Sequence, residues 1–446
     1  MGLVNYFRKK IIPFLDEEKL NTFHLLKGQI LQFSLSFCAN IFFFRKLNIL
    51  DVGVFYSILA YATLFGVLSG NWLRECCINE LLLKKHTEKV ILGSSVFILL
   101  IAGIATFILS VLVIGITKGL GSFFYLNMIV SITFLFAPFN VIQFYFDSIL
   151  QSKVNSRILI KASLISNMLK ILFLYFSDNI YLLVITHVSF TLLISYIGII
   201  EFKKYKNYSF FDINLGTTDL AKSLFKKSSP LIFTNFAVIL YLKVDQIMLE
   251  ELSGEVEVAL YSAALKFVEI FYVIPMALYT SFYPMFVKTH ENNKDLFFEI
   301  VNKKVTIMIN IFIVIGTGLM IFSPFIGELV YGSKYKDIGK LIFGLSFTIF
   351  FVNLGYIKTA FLIVTGRIRI NLIINVIASV FNILANYFLL PLYGAKGAVI
   401  VSIVTYAYAN FISCAFFKET KPLYKIFIAR MRSNFLSNKL KKIRFS

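Results

Sequence analysis

Apolar runs of about 20 residues recur along this chain, each long enough to cross a hydrocarbon core roughly 30 Å thick as a helix. Twelve can be placed in the 446 residues, at 24–44, 51–71, 90–113, 122–146, 158–177, 179–200, 228–249, 257–288, 305–327, 341–364, 369–390 and 394–417. They leave too little polar chain for a water-soluble globule: 15% of residues are charged, against about 25% in a typical soluble protein. A bilayer obliges every backbone polar group to bond internally, and the signal lies in long runs rather than ten-residue alternations. The expected fold is therefore an all-α polytopic membrane protein of about twelve helices.

A net charge of +20 could suit a polyanion, but nucleic-acid sites gather their basic residues in one stripe and here they are dispersed, so no nucleic-acid partner is expected. Their positions follow topology instead. Of 44 Lys and Arg, 31 lie in the amino-terminal segment, the even-numbered loops and the carboxyl tail, counted with the adjoining span edges, and 7 in the odd-numbered loops. The other six, Lys27, Lys161, Lys170, Lys243, Lys266 and Lys358, lie within spans. Positive charge is retained on the cytoplasmic side, so both termini are expected there. Met1 to Asn21 carries Arg8, Lys9, Lys10 and the run Asp16-Glu17-Glu18, without the apolar core and small-residue cleavage site of a signal peptide. Residues 1–23 thus read as a cytoplasmic arm. Cys38, Cys76, Cys77 and Cys414 form no CxxC pair, so neither a disulfide framework nor a zinc site is indicated, and no cofactor or metal is expected.

The stretch Glu201 to Lys227, with six lysines, separates six spans from six. It reads as a basic linker, 201–227, between bundles at 24–200 and 228–417, with a basic tail at 418–446. Asp51-Val52-Gly53-Val54-Phe55 after the first span is matched by Glu257-Val258-Ala259-Leu260-Tyr261 after the seventh. Both open the second helix of their half on the outer side. This suggests parallel repeats related by an axis along the membrane normal, an architecture suited to alternating access around a shared site. A chance five-residue match is the alternative.

Polar residues recur at helical spacing within spans. Asn371, Asn375, Ser379, Asn382 and Asn386 occupy one face of the eleventh span; Gln29, Gln32, Ser36 and Asn40 do so on the first, and Asn140, Gln143, Asp147 and Gln151 across the fourth. Interhelical hydrogen bonds would account for some, at about 0.6 kcal/mol each. Stripes in both halves also fit the lining of a wet cavity. Lys170 lies near the middle of the fifth span and shares a face with Ser163 and Asn167, which makes it the foremost candidate for a cavity cation. Lys27 and Lys161 are close enough to span ends to snorkel, and Lys358 allows either reading. Lys266 and Glu269 can form an intrahelical pair that is either structural or displaceable by a ligand. Surplus positive charge favours an anionic solute or head group. Asp147, Asp245 and Glu269 are the carboxylates able to bind a coupling proton or sodium ion. No phosphate loop, HExxH or GxSxG is present, and every outer loop is short, which argues against an enzyme.

Several segments resemble one family. Lys243-Val244-Asp245-Gln246-Ile247-Met248-Leu249, Val258-Ala259-Leu260-Tyr261-Ser262-Ala263-Ala264 and Ile274-Pro275-Met276-Ala277 are similar to the second-half signature of polysaccharide (O-antigen, Wzx-type) flippases. These belong to the multidrug/oligosaccharidyl-lipid/polysaccharide exporter superfamily, which is MATE-like in fold. Leu329 to Tyr335, Asn386 to Ala398, and Arg45 to Phe55 agree, although Asn48 and Ala259 stand where Gly is usual. The resemblance implies translocation of undecaprenyl-pyrophosphate-linked oligosaccharide repeat units, for O-antigen or another surface polysaccharide, from the inner to the outer leaflet of a bacterial cytoplasmic membrane. On that expectation Lys170 and Lys266, with Lys27, Lys161 and Lys358, attract the pyrophosphate. Gln29, Gln32, Asn40, Asn140, Gln143, Asn371, Asn375, Asn382 and Asn386 then hydrogen-bond the sugars. A polysaccharide polymerase and a chain-length regulator are candidate partners. A multidrug or cation exporter of the same superfamily, and a membrane polysaccharide polymerase or ligase, remain as alternatives.

Overall fold

The computed structural model describes residues 27–206, 208, 210 and 218–436, among which there is no strand. The expected arm at 1–23 lies outside them. The chain forms two compact units, Met1–Ile239 and Leu240–Ser446.

The first unit begins with α1 (27–46), which falls on the first expected span. It continues with α2 (Ile49–Gly66), a short α3 (Arg74–Leu83), α4 (Glu88–Lys118), α5 (Ser122–Ser131), α6 (Asn140–Ser148), α7 (Ser152–Phe176), α8 (Ile180–Tyr205) and the start of α9 (Thr218–Ser253). The second holds the rest of α9, then α10 (Glu255–Glu269), α11 (Val273–Asn292), α12 (Lys294–Ile326), α13 (Gly339–Val364), α14 (Ile368–Asn410) and α15 (Lys421–Leu436). Among the described residues, ten helical segments from Ile49 onward are long and apolar enough to cross a membrane. This is a multi-pass membrane protein.

Local chemistry sets the boundaries. Asn48, Asn179 and Asn293 each precede a helix and accept a hydrogen bond from a backbone N–H of its first turn. Pro138 lies in a 3₁₀ segment, Ile132–Phe139, that joins α5 to α6 inside the fourth span, where its missing donor interrupts the α-helical ladder. The eleventh and twelfth expected spans run together as α14, bent at Gly394, whose φ of 52° is one that glycine adopts without strain. A Cβ at Gly394 would lie 2.5 Å from Glu257 Oε2, and that same oxygen accepts the Ala395 N–H at 2.6 Å. Glu257 therefore supplies a carboxylate to the free N–H groups that open the second arm of α14.

In the first unit, α4 crosses the 3₁₀ segment at Gly103, where any Cβ would meet the Phe134 carbonyl. Trp72, Leu99, Phe146, Phe202 and Leu224 fill the core beside it. At the α4 amino terminus Glu88 accepts from Tyr208 Oη at 2.6 Å and Lys206 Nζ at 2.8 Å. Burial, then this bond to Glu88, pushes the Tyr208 phenol up, while burial opposes the Lys206 charge and its bonds to Glu88 and Tyr145 leave its pKa raised. In the second unit, Phe286, Phe297, Met308 and Phe361 pack with Leu423, Ile426 and Phe427 of α15. The basic tail thus begins as a helix docked on the bundle.

Candidate functional site

Among the described residues, polar and charged side chains gather inside each of the two units. In the first unit Lys170 reaches from α7 to α1, donating to Asn40 Oδ1 at 2.7 Å. Its ammonium lies 4.4 Å from the centre of the Phe43 ring and 5.7 Å from that of Phe55 on α2, so a hydrogen bond and two aromatic faces hold the charge. One turn away, Asn167 donates to Ser163 and, at 3.4 Å, to Ser36 of α1. The stripes on α1 and α7 that the sequence marked out thus meet each other. Gln29 and Gln32 are half-buried on α1, and Lys27, the first described residue, is exposed.

In the second unit Glu269 holds two lysines. Lys266 Nζ lies 2.6 Å from its carboxylate and Lys243 Nζ 4.0 Å, with the three side chains 29%, 31% and 19% exposed in the order Glu269, Lys266, Lys243. The cluster carries one surplus positive charge and remains accessible. Tyr241, Tyr272 and Tyr406 lie within electrostatic reach of one another or of Glu269, and each is half-buried. Tyr272 and Thr348 share a hydrogen bond of 2.6 Å, and the rings of Tyr241 and Tyr406 meet edge to face at 6.1 Å. Lys243 had no partner in sequence because its carboxylate is 26 residues away on the next helix.

Asp245, two residues on, points the other way, as two steps of 100° require. It is 3% exposed and accepts from Asn386 Nδ2 at 2.6 Å, Ser402 Oγ at 2.7 Å and Tyr261 Oη at 3.0 Å. Asn382 extends the network, accepting from Asn386 at 3.0 Å and donating to Thr405 at 3.2 Å. All these hydrogen-bond partners are neutral, and Asn386 Oδ1 is buried without a hydrogen-bond partner. The asparagine stripe of the eleventh span therefore turns into the protein. Asn375, Asn382 and Asn386 are buried and Asn371 half-buried, and Asn382 and Asn386 are engaged in the Asp245 network rather than in an open wall.

Three further expectations need revision. Lys358 is 1% exposed and donates to the Ala409 carbonyl at 2.6 Å, which ties α13 to α14 and buries the ammonium in the protein rather than in an open cavity. Asp147 pairs with Arg74 of α3, Oδ2 lying 2.8 Å from one terminal nitrogen and 3.2 Å from Nε, and accepts from Asn155 at 2.7 Å on Oδ1. It is a latch between α3, α6 and α7, beside the half-buried Asn140 and Gln143, rather than an open ion site. Lys161 lies nine residues from Lys170, half a turn around α7, so the two cannot share one ligand. It pairs with Glu201 of α8 at 3.7 Å instead.

Residues 19–290 match the polysaccharide biosynthesis protein family, which spans well over half of the chain. The chain belongs to that family. Residues 230–388 of this family member also match MatE. A capsular polysaccharide biosynthesis protein, CapF, of Staphylococcus aureus is 26% identical over 198 residues, covering 42% of this chain and 49% of that protein, so the chain spans about half the length of that relative. Among solved structures, the lipid II flippase MurJ in an inward closed conformation aligns with TM-score 0.72 at 16% identity, covering 91% of this chain and 90% of that one. An inward-facing MATE multidrug transporter aligns at 0.61 and 14% identity, covering 94% and 95%. A transporter of the same superfamily from Pyrococcus furiosus aligns at 0.62 and 15%, covering 93% and 97%. The fold is MATE-like, and the solved proteins it resembles here are transporters and a flippase.

Proposed function

We propose that this family member moves an undecaprenyl-pyrophosphate-linked oligosaccharide from the inner to the outer leaflet of a bacterial cytoplasmic membrane by alternating access, with both termini in the cytoplasm. The observation that carries the reading is the Lys243–Lys266–Glu269 cluster. Two ammonium groups on one accessible carboxylate form a site with a positive surplus, which suits an anionic head group and disfavours the cationic drugs of an exporter. Tyr241, Tyr272 and Tyr406 beside it offer rings and hydroxyls to a saccharide. The MatE match supports transport, and the capsular polysaccharide relative supports a saccharide cargo.

Asp245 is the candidate for coupling. A buried carboxylate whose hydrogen-bond donors are all neutral is costly unless it takes a proton or a cation, and the unpartnered Asn386 Oδ1 is a further oxygen close to it. A proton or sodium ion there would exchange as the helices around it move.

The test is a leaflet assay: delete the gene and determine on which face of the cytoplasmic membrane undecaprenyl-linked oligosaccharide accumulates. Accumulation on the inner face with loss of surface polymer is expected. Units that still reach the outer face, in a strain without a second flippase, would overturn the reading in favour of the exporter or polymerase.

A further inference from the structure

Glu201, near the end of α8, is 3% exposed along its side chain, and three cations converge on it: Lys204 at 3.3 Å, Arg157 at 3.5 Å and Lys161 at 3.7 Å. One carboxylate against three cations leaves a surplus of two positive charges. The cations themselves are open, with 61%, 45% and 52% of their side chains exposed in the same order.

Their surroundings set what they meet. On α7 the positions 157, 161, 164, 168, 172 and 175 step by 4, 3, 4, 4 and 3 and so share one face. Beyond Lys161 that face is Leu164, Met168, Leu172 and Tyr175, all exposed. Ile185, Leu192, Tyr196 and Ile200 give α8 an exposed apolar row that ends beside Glu201. Exposed apolar faces on membrane-spanning helices lie against acyl chains. At 1.5 Å per residue, Arg157 is about 28 Å along α7 from Phe176, close to the roughly 30 Å of a hydrocarbon core. The cluster therefore stands at head-group level, and Tyr205 Oη donating to Gln151 Oε1 at 3.3 Å ties the two helix ends at that level.

We propose that Arg157, Lys161 and Lys204, gathered by Glu201, bind the phosphate of an anionic phospholipid on the membrane-facing flank of the first unit. A solitary lysine at this depth snorkels into water as a mobile chain. Here the buried carboxylate holds three stems together before any ligand arrives, so little side-chain freedom remains to be lost on binding. The guanidinium and two ammonium groups supply several donors to the non-ester oxygens of a phosphodiester, and the rows on α7 and α8 supply a seat for its acyl chains. A zwitterionic head group would bring its own cation into a site that already carries two surplus charges. The site depends on neither the cargo nor the coupling ion.

The full chain purified in detergent would be studied by native mass spectrometry with phosphatidylglycerol or phosphatidylcholine, and by thermal unfolding with the same lipids. Wild-type protein is expected to retain phosphatidylglycerol preferentially and to unfold at a higher temperature with it. The pair Arg157→Gln and Lys161→Gln should lower that preference by about fivefold per cation removed. The control pair Lys84→Gln and Lys85→Gln, matched in charge but on the turn after α3, should leave it intact. Equal losses in both pairs would show diffuse attraction to a basic protein and overturn the site, as would an undiminished preference in the first pair. Should the first pair not fold, Lys204→Gln, at the most exposed of the three, reads the same quantity. A wild-type protein that retains both lipids equally would refute the proposal directly.

Discussion

Replacing Glu269 by Gln should tighten binding of the cargo, whereas replacing either lysine that contacts it should weaken binding. Lys266 Nζ is 2.6 Å from the Glu269 carboxylate. A phosphate about 4 Å beyond that ammonium would then stand about 6.6 Å from the carboxylate, and at an effective dielectric of about 20 the two negative charges repel by about 2.5 kcal/mol. The three side chains are 19–31% exposed, so water and salt reduce this to about 1 kcal/mol, or about fivefold in affinity. Lys266→Gln and Lys243→Gln remove attractive charges at shorter range and should weaken binding about 5- to 30-fold. Equilibrium binding of undecaprenyl-pyrophosphate oligosaccharide to purified protein, at low and high salt, measures both directions. Transport in proteoliposomes should fall in all three variants, in Glu269→Gln because release slows. A Glu269→Gln protein that loses affinity to the same extent as Lys266→Gln would refute the argument, since the carboxylate would then be positioning the lysines rather than opposing the ligand.

Three other outcomes follow from the geometry. Arg74→Gln leaves Asp147, 13% exposed along its side chain, with only Asn155, and should destabilise the protein by about 2 kcal/mol; adding Asp147→Asn should restore part of that in a thermal double-mutant cycle. Asp245→Asn keeps the shape of the buried network, so it should fold normally yet abolish the response of transport to an imposed proton or sodium gradient in proteoliposomes. Gly103→Ala drives a methyl group into the Phe134 carbonyl and should lower the unfolding temperature, whereas Gly318→Ala, which meets open space, should not.

What the sequence could show was periodicity along a single helix. Hydropathy placed the spans because about 20 apolar residues are needed whatever the helix packs against. The faces of α1, α7 and α14 were equally legible, since a 3.6-residue repeat fixes which residues lie together. Whether a face meets water, lipid or another helix depends on what stands opposite, and there the asparagines of α14 went astray: Asn382 and Asn386 have the spacing of a pore lining and the burial of a packing seam. The same limit left Lys161 and Lys358 open between a cavity and another setting. Each is a lysine inside an apolar run, yet one is exposed beside Glu201 and the other is buried against a carbonyl. Arg74 and Lys243 were missed because the carboxylates they meet, Asp147 and Glu269, are 73 and 26 residues away, and Glu201 because two of its three cations come from another helix.

The three carboxylates that sequence grouped as coupling candidates make the point chemically. All lie within or at the edge of a span, and all are near basic or polar residues. Asp147 has a guanidinium on it, so its charge is already neutralised and a proton or sodium ion would have to displace Arg74. Glu269 has two ammonium groups on it and can gain nothing by binding a third cation. Asp245 alone of the three is more than nine-tenths buried, and its hydrogen-bond donors are all neutral, so its stability rests on what else it binds. A buried carboxylate without a hydrogen-bonded cation can tie the occupancy of an ion to the packing of the helices around it. On the proposed coupling, that condition favours Asp245, which Tyr261, Asn386 and Ser402 stabilise through two hydroxyls and an amide without neutralising it.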